Sequence, residues 1–350
     1  MAADGIATIA INHVGHGFGP LGTLAVNQTG GDAVTFPAGG RGQPSSDGVI
    51  GPNAGSGGDA VRQMDADLMQ LVREIQVGMD VDGNGAPDLD PARIYYFGNS
   101  LGGIYGTPFV AVEPGVHAAV LSSTGGGSNL TPNTRGGASL ANRVPPLINS
   151  PGIVAIEGLP VPAPYYHENF PLRNGIPLTV QLADGTSQMI QSPVINTVAG
   201  ANAIQEALAN QAWISQSSNP KAYAPHLRKE PLPGVPAKSV IIMFGKGDQT
   251  VANPAETAVV RAGDLADRTT FYRNDLAFAV DPTIPTNPHA ILTFGIDYPN
   301  PLVMAIARGE QQQIAAFFAS DGTEIIHPEP AQFFEVPIQG PLPEDLNFIL

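Results

Sequence analysis

At 350 residues the chain is long enough to bury a full core, as one large domain with an insertion or as two smaller domains, and its 43% apolar content excludes wholesale disorder. A net charge of −15 with four lysines argues against a nucleic-acid or anionic-membrane partner reached through a basic patch. The absence of cysteine excludes disulfides, thiolate nucleophiles and Cys-based metal sites, while 41 glycines and 34 prolines predict many turns and long loops.

The predicted elements begin at once. Gly5 to Asn12 reads as a strand; the N-terminus lacks the basic region and cleavage site of a signal peptide, and no apolar run approaches the length of a membrane span. TLAVNQTGGDAVTF carries two alternating runs around Thr29-Gly30-Gly31-Asp32, the pattern of a β-hairpin. Pro37 to Gly58 is Gly/Pro/Ser-rich and reads as a surface loop. From Asp59 to Ile75, the residues Val61, Met64, Leu68, Leu71, Val72 and Ile75 fall at helical spacing.

An acidic loop leads into Ile94-Tyr95-Tyr96-Phe97, which reads as a buried strand. Gly98 to Gly103 forms a turn, Ile104 to Val112 a helix, and His117 to Thr124 a second apolar strand. Strand, tight turn, helix, strand is the order of a parallel sheet covered on both faces, so the fold class is α/β. Residues 125–234 break that order, with one convincing helix from Ala201 to about Ser215. The sheet pattern resumes at Ser239 to Gly245, with a helix over Pro254 to Ala266, a short strand TTFYRN, a Pro-rich loop through His289 and a helix over Pro301 to Ala319. The last thirty residues are Pro-punctuated and read as an extended surface segment.

Ser100 stands in Gly98-Asn99-Ser100-Leu101-Gly102. In so glycine-rich a chain the G-x-S-x-G pattern is weak by itself; its position between an apolar strand and a helix is what counts. A serine hydroxyl is a poor nucleophile until a histidine, oriented by a carboxylate, takes its proton. On a strained strand-to-helix turn the flanking glycines avoid a clash, and the amide after the serine, here Leu101, helps hold an oxyanion. The acid is expected after a later strand: Asp248, in FGKGDQTVANP, lies four residues past Phe244, while Asp264 and Asp267 fall in a helical stretch. Among seven histidines, His289 lies after the last strand and before the final helix, where the base belongs; His327 is the runner-up.

RIYYFGNSLGGI, AAVLSSTGGG, FGKGDQTVANP and AIARGEQQQIAAFFASDG together resemble the α/β-hydrolase superfamily, and within it the bacterial virulence-factor lipases. The resemblance implies an α/β-hydrolase-type sheet and hydrolysis of a carboxylic ester through an acyl-enzyme on Ser100. His289 would be base and then acid, Asp248 the orienter, and no cofactor would take part in the chemistry. It implies a core of 1–124 and 235–350 interrupted by a lid at 125–234, and relatives that are exported. The departure is N-terminal. Read as the superfamily's fourth strand, Gly5–Asn12 implies that the first three strands and the second oxyanion donor are missing, and His13 and His16 become loop residues. Read as its third, it makes His16-Gly17-Phe18 the oxyanion loop and Phe18 the donor. The first reading fits better, because the hairpin does not look like a buried parallel strand.

Two further segments leave alternatives open. DVDGNGAPDLD offers Asp80, Asp82, Asn84, Asp88 and Asp90, hard oxygen ligands around a glycine turn. The EF-hand pattern fails because its twelfth position is Pro91, so a short structural calcium loop and a solvated acidic turn both stand. In the insertion, Pro162, Tyr165, Tyr166, Phe170 and Trp213 either line an acyl pocket or form a small core of their own. Three functions fit the sequence: a carboxylester hydrolase for short to medium acyl chains, a peptidase or amidase on the same residues, and a hydrolase-like binding module that no longer turns over.

Overall fold

The computed structural model describes residues 2–12, 22–26, 34–38, 54–126, 178–181, 187–190, 213, 216–294, 298–344, 347 and 349. In chain order these form strands β1 (Gly22–Val26) and β2 (Val34–Ala38), helix α1 (Ala54–Gly78), β3 (Ile94–Asn99), α2 (Leu101–Val112) and β4 (Val116–Ser122). There follow β5 (Leu178–Gln181), β6 (Ser187–Ile190), α3 (Pro220–Arg228), β7 (Ser239–Gly245), α4 (Asn253–Gly263), β8 (Thr269–Tyr272), α5 (Asn274–Val280), α6 (Pro301–Ala319) and β9 (Phe334–Glu335).

The central sheet has five strands in the order β3-β4-β7-β8-β9. The first four run parallel, with Asn99 beside Ser122, Ser122 beside Met243 and Gly245 beside Tyr272, and β9 closes the far side antiparallel to β8. Parallel strands need crossovers, and the helices that supply them cover both faces. That makes the protein α/β.

The two-residue period of the strands divides the core. Ala119, Leu121, Val240, Ile242 and Phe244 face α1, α2, α3 and α4, where Met64, Leu68, Val72, Phe109, Leu227 and Val260 meet them. Ala118, Val120, Ile241 and Met243 face α6, which presents Ile314, Phe317 and Phe318. Both registers of β4 and β7 are therefore apolar, which is why HAAVLSS and SVIIMFG read as continuous hydrophobic runs. Beyond β8, Tyr272, Ala277, Ile291, Val303, Phe333 and Phe334 make a third cluster that seats α5 and the C-terminal segment.

Several expectations hold: the hairpin pairs Val26 with Val34, and α1 buries Val61, Met64, Leu68, Val72 and Ile75. Others are corrected. Gly5–Asn12 is not a strand and joins no sheet, so it serves as neither the third nor the fourth strand; instead Ile6 packs against one core cluster and Ile11 against the other. Among the described residues β3 is consequently an edge strand, and Phe97, expected inside, is 42% exposed. The C-terminal segment contributes β9 rather than only wrapping the surface, and the loop before His289 contains α5. Helix α3, inside the expected insertion, buries Ala224 and Leu227 and packs with α2 and α4, so the core resumes before residue 235. Of the helix expected over 201–215, Trp213 alone lies within the described residues.

Gly106 tests this packing. A Cβ there would lie 2.2 Å from the Tyr96 ring, which cannot swing away because its hydroxyl donates to the Gly102 carbonyl at 2.7 Å and its ring packs edge-to-face with Phe109. Gly106→Ala is expected to lose about 1–3 kcal/mol of unfolding free energy. Urea denaturation measures it, and an unmoved midpoint would contradict the packing.

Candidate active site

The carboxyl ends of β3 and β7 bring three distant side chains together. Ser100 follows β3 directly, with φ 56° and ψ −117°, a conformation L-residues rarely adopt. Its amide donates to the Ser122 carbonyl at 2.8 Å, which pins the turn to the end of β4. Clearance comes from glycine: a Cβ at Gly98 would lie 2.2 Å from the Gly102 oxygen, and one at Gly103 2.7 Å from the Ser122 oxygen. Gly102 differs. A Cβ there would meet nothing closer than 3.7 Å, so the second glycine the turn requires is Gly103.

Asp248 is held in a loop that its own carboxylate organises. Oδ1 accepts from the Thr250 and Val251 amides at 2.7 and 2.8 Å, leaving Oδ2 for a partner from elsewhere. That partner is His289, whose Nδ1 lies 2.7 Å from Oδ2. The other ring nitrogen, Nε2, lies 2.8 Å from the Ser100 hydroxyl oxygen. Asp248 is fully buried and the His289 side chain is 12% exposed, so water competes little for either bond.

The histidine is placed by two features that the sequence reading missed. Gly245 ends β7, and a Cβ there would lie 2.6 Å from Pro288; its absence lets the 3-10 turn Pro288–Thr293 settle on the strand end. Asn287 then ties the two loops together. Its Oδ1 accepts from the His289 and Gln249 amides, and its Nδ2 donates to the Thr250 hydroxyl at 3.1 Å. The available signal was local: an Asn before Pro at the start of a short helical turn is an N-cap.

The rivals fall away by position. Asp264 is a left-handed C-cap, and Asp267 is bound by Arg228. His327 Nδ1 lies beside the Pro328 carbonyl, His226 beside that of Glu230, and His117 is 3.6 Å from Asp321. His13, His16 and His167 lie outside the described residues, as does Phe18, the expected second oxyanion donor. Leu101 is the first residue of α2, where a helical amide has no intrahelical acceptor and is free to meet an anion.

The acidic loop lies before β3, at the opposite edge of the sheet from Ser100. Ligand oxygens of Asp80, Asp82 and Asp88 come within 4.8 Å of one another, whereas Asp90 turns to the Ala92 amide. Asn84 donates to Asp82 and accepts from the Ala86 amide. Amide donors fill the cluster: the amide of Gly85, with those of Gly83 and Asn84, holds the Asp80 carboxyl below its usual range, and Asp88 accepts from Val81 and Asp82. Of the expected pocket residues, Trp213 is 79% exposed; Pro162, Tyr165, Tyr166 and Phe170 lie outside the described residues. No helix among the described residues is long and apolar enough to cross a membrane.

No family model matches the chain, and neither a curated protein nor a solved structure does. A hydroxyl bonded to an imidazole, itself bonded to a buried carboxylate, can be deprotonated as it attacks an electrophile.

The strained backbone at Ser100 gives a stability test apart from turnover. Ser100→Gly relieves the positive φ that Ser100→Ala retains, and the relief outweighs glycine's extra chain entropy. Ser100→Gly is expected to be more stable than Ser100→Ala by on the order of 1 kcal/mol in chemical denaturation. The reverse order would mean that the turn is not strained.

Proposed function

We propose that this chain is a serine carboxylester hydrolase of the α/β-hydrolase type, with Ser100 as nucleophile, His289 as general base and acid, and Asp248 as orienter. The observation that carries this reading is the unbroken chain of contacts at one sheet edge: 2.8 Å from the Ser100 hydroxyl to His289 and 2.7 Å from His289 to Asp248. The order Ser, Asp, His along the sequence supports the same reading, as does the placing of each after a strand.

In the proposed reaction the Ser100 oxygen attacks the ester carbonyl carbon while its proton passes to His289 Nε2. Asp248 holds Nδ1–H, which keeps Nε2 as the acceptor and stabilises the imidazolium that forms. The tetrahedral oxyanion sits at the amide of Leu101, on the N-terminal end of α2. Collapse expels the alcohol, which takes the proton from His289 and leaves an acyl-Ser100. Water then repeats the sequence and releases the acid. As the resemblance implies, the part of 125–234 that precedes α3, most of it outside the described residues, would be the lid that shapes the acyl site, and short to medium acyl esters are the substrates we assign.

A fluorophosphonate probe should label the folded wild-type chain at Ser100 and leave Ser100→Ala unlabelled. Wild type should hydrolyse p-nitrophenyl esters of two to eight acyl carbons, with kcat reduced about 10³-fold or more in Ser100→Ala. A folded wild-type chain that neither labels nor hydrolyses would overturn the esterase reading in favour of a binding module.

A further inference from the structure

Behind the acid loop, helix α4 turns inward a carboxyl that the proposed chemistry does not use. Glu256, in the first turn of α4, is fully buried. Its position is set by Asn253. That side chain's Nδ2 donates to the Gly245 carbonyl at 2.8 Å and to Glu256 Oε2 at 2.7 Å, while its Oδ1 accepts from the Gly247 amide at 2.9 Å. One network therefore holds the end of β7, the turn before Asp248 and one oxygen of Glu256.

The other oxygen, Oε1, is equally buried and has no donor to accept from. The neighbouring group that acts on Glu256 is the carboxyl of Asp248, through its charge and as a side-chain partner. Two ionised carboxylates buried side by side repel, so one proton must be shared between them, and the donors decide where it sits. Asp248 has two backbone amides and the His289 ring to stabilise its charge; Glu256 has one neutral amide. The amino end of α4 favours an anion, but weakly beside full burial against another carboxylate. Burial first, and the Asp248 charge second, push the Glu256 carboxyl well above its ordinary range. A proton on Oε1 turns the one atom without a partner into a donor.

We infer that Glu256 is a neutral carboxylic acid that donates a hydrogen bond to Asp248 and so fixes the carboxylate that orients His289. The inference rests on the esterase reading and extends it by one residue. Glu256 touches no reacting atom; it is a positioning residue. Its hydrogen bond joins those of Thr250, Val251 and His289 on the same carboxylate and spreads its charge. A carboxylate so satisfied orients the imidazole without taking its proton.

The test begins with the unmodified protein. In wild type labelled with 13C-carboxyl glutamate, the Glu256 resonance, assigned by its loss in Glu256→Gln, is expected at the protonated position at pH 7; an ionised carboxylate there overturns the inference. A glutamine can donate to Asp248 and accept from Asn253, so Glu256→Gln should keep kcat within about threefold of wild type. Glu256→Leu removes the donor and should lower kcat roughly 10- to 100-fold with KM within about twofold. It should also move the acid limb of kcat/KM to higher pH, because a less satisfied Asp248 stabilises the imidazolium more. A limb that moves to lower pH, or a Glu256→Gln loss as large as that of Glu256→Leu, would mark Glu256 as an anion and overturn the inference. Wild type without ester turnover would instead refute the esterase reading, and the carbon resonance would still decide whether Glu256 is the neutral donor.

Discussion

One imidazole joins parts of the chain that the sequence keeps far apart. His289 meets a hydroxyl 189 residues earlier and a carboxylate 41 residues earlier, both within 2.8 Å. Hydrogen bonds weaken steeply when misaligned, and a misplacement of about 1 Å can cost a reaction about 100-fold. The register of three parallel strands, the turn at Ser100 and the seat of the 288–293 turn must therefore all be correct together. Glycine makes several of these fits: Gly98 and Gly103 clear the serine turn, and Gly245 lets Pro288 approach.

The two edges of the sheet divide the work. At the carboxyl edge, polar side chains are buried in order to hold one another: Asn287 bridges the loops of Asp248 and His289, and Asn253 braces the turn before Asp248. At the amino edge the buried polar groups tie strands together. Lys238 donates to the carbonyls of Glu113 and Val116, each at 2.7 Å, and burial pulls its ammonium down to about 8. Glu113 in turn receives Arg73 from α1. Such networks cost desolvation and are tolerated because each group meets a specific partner.

Much of the core was legible because strands buried on both faces and an amphipathic helix leave strong periodic signals: SVIIMFG is β7, and the spacing from Val61 to Ile75 lies within α1. Ser100, Asp248 and His289 could be placed from their positions after strands, since a parallel sheet gathers its carboxyl ends at one edge. What was missed carries no such period. Asn287 and Glu256 sit where tertiary packing brings loops together, Asn287 bridging to Gln249 and Thr250, and β9 is two residues long. Gly5–Asn12 shows the opposite failure. The apolar run there reads as a strand, yet Ile6 and Ile11 reach two separate core clusters.

In the proposed mechanism the hydroxyl at 100 and the imidazole at 289 act as one chemical unit. The direct measurement is kcat for ester hydrolysis in Ser100→Ala, His289→Ala and the double variant. Because either loss breaks the same hydrogen-bonded chain, the double variant is predicted to fall no more than a few-fold below the worse single variant. Losses that multiply, each substitution costing the same in the presence or absence of the other, would contradict the account.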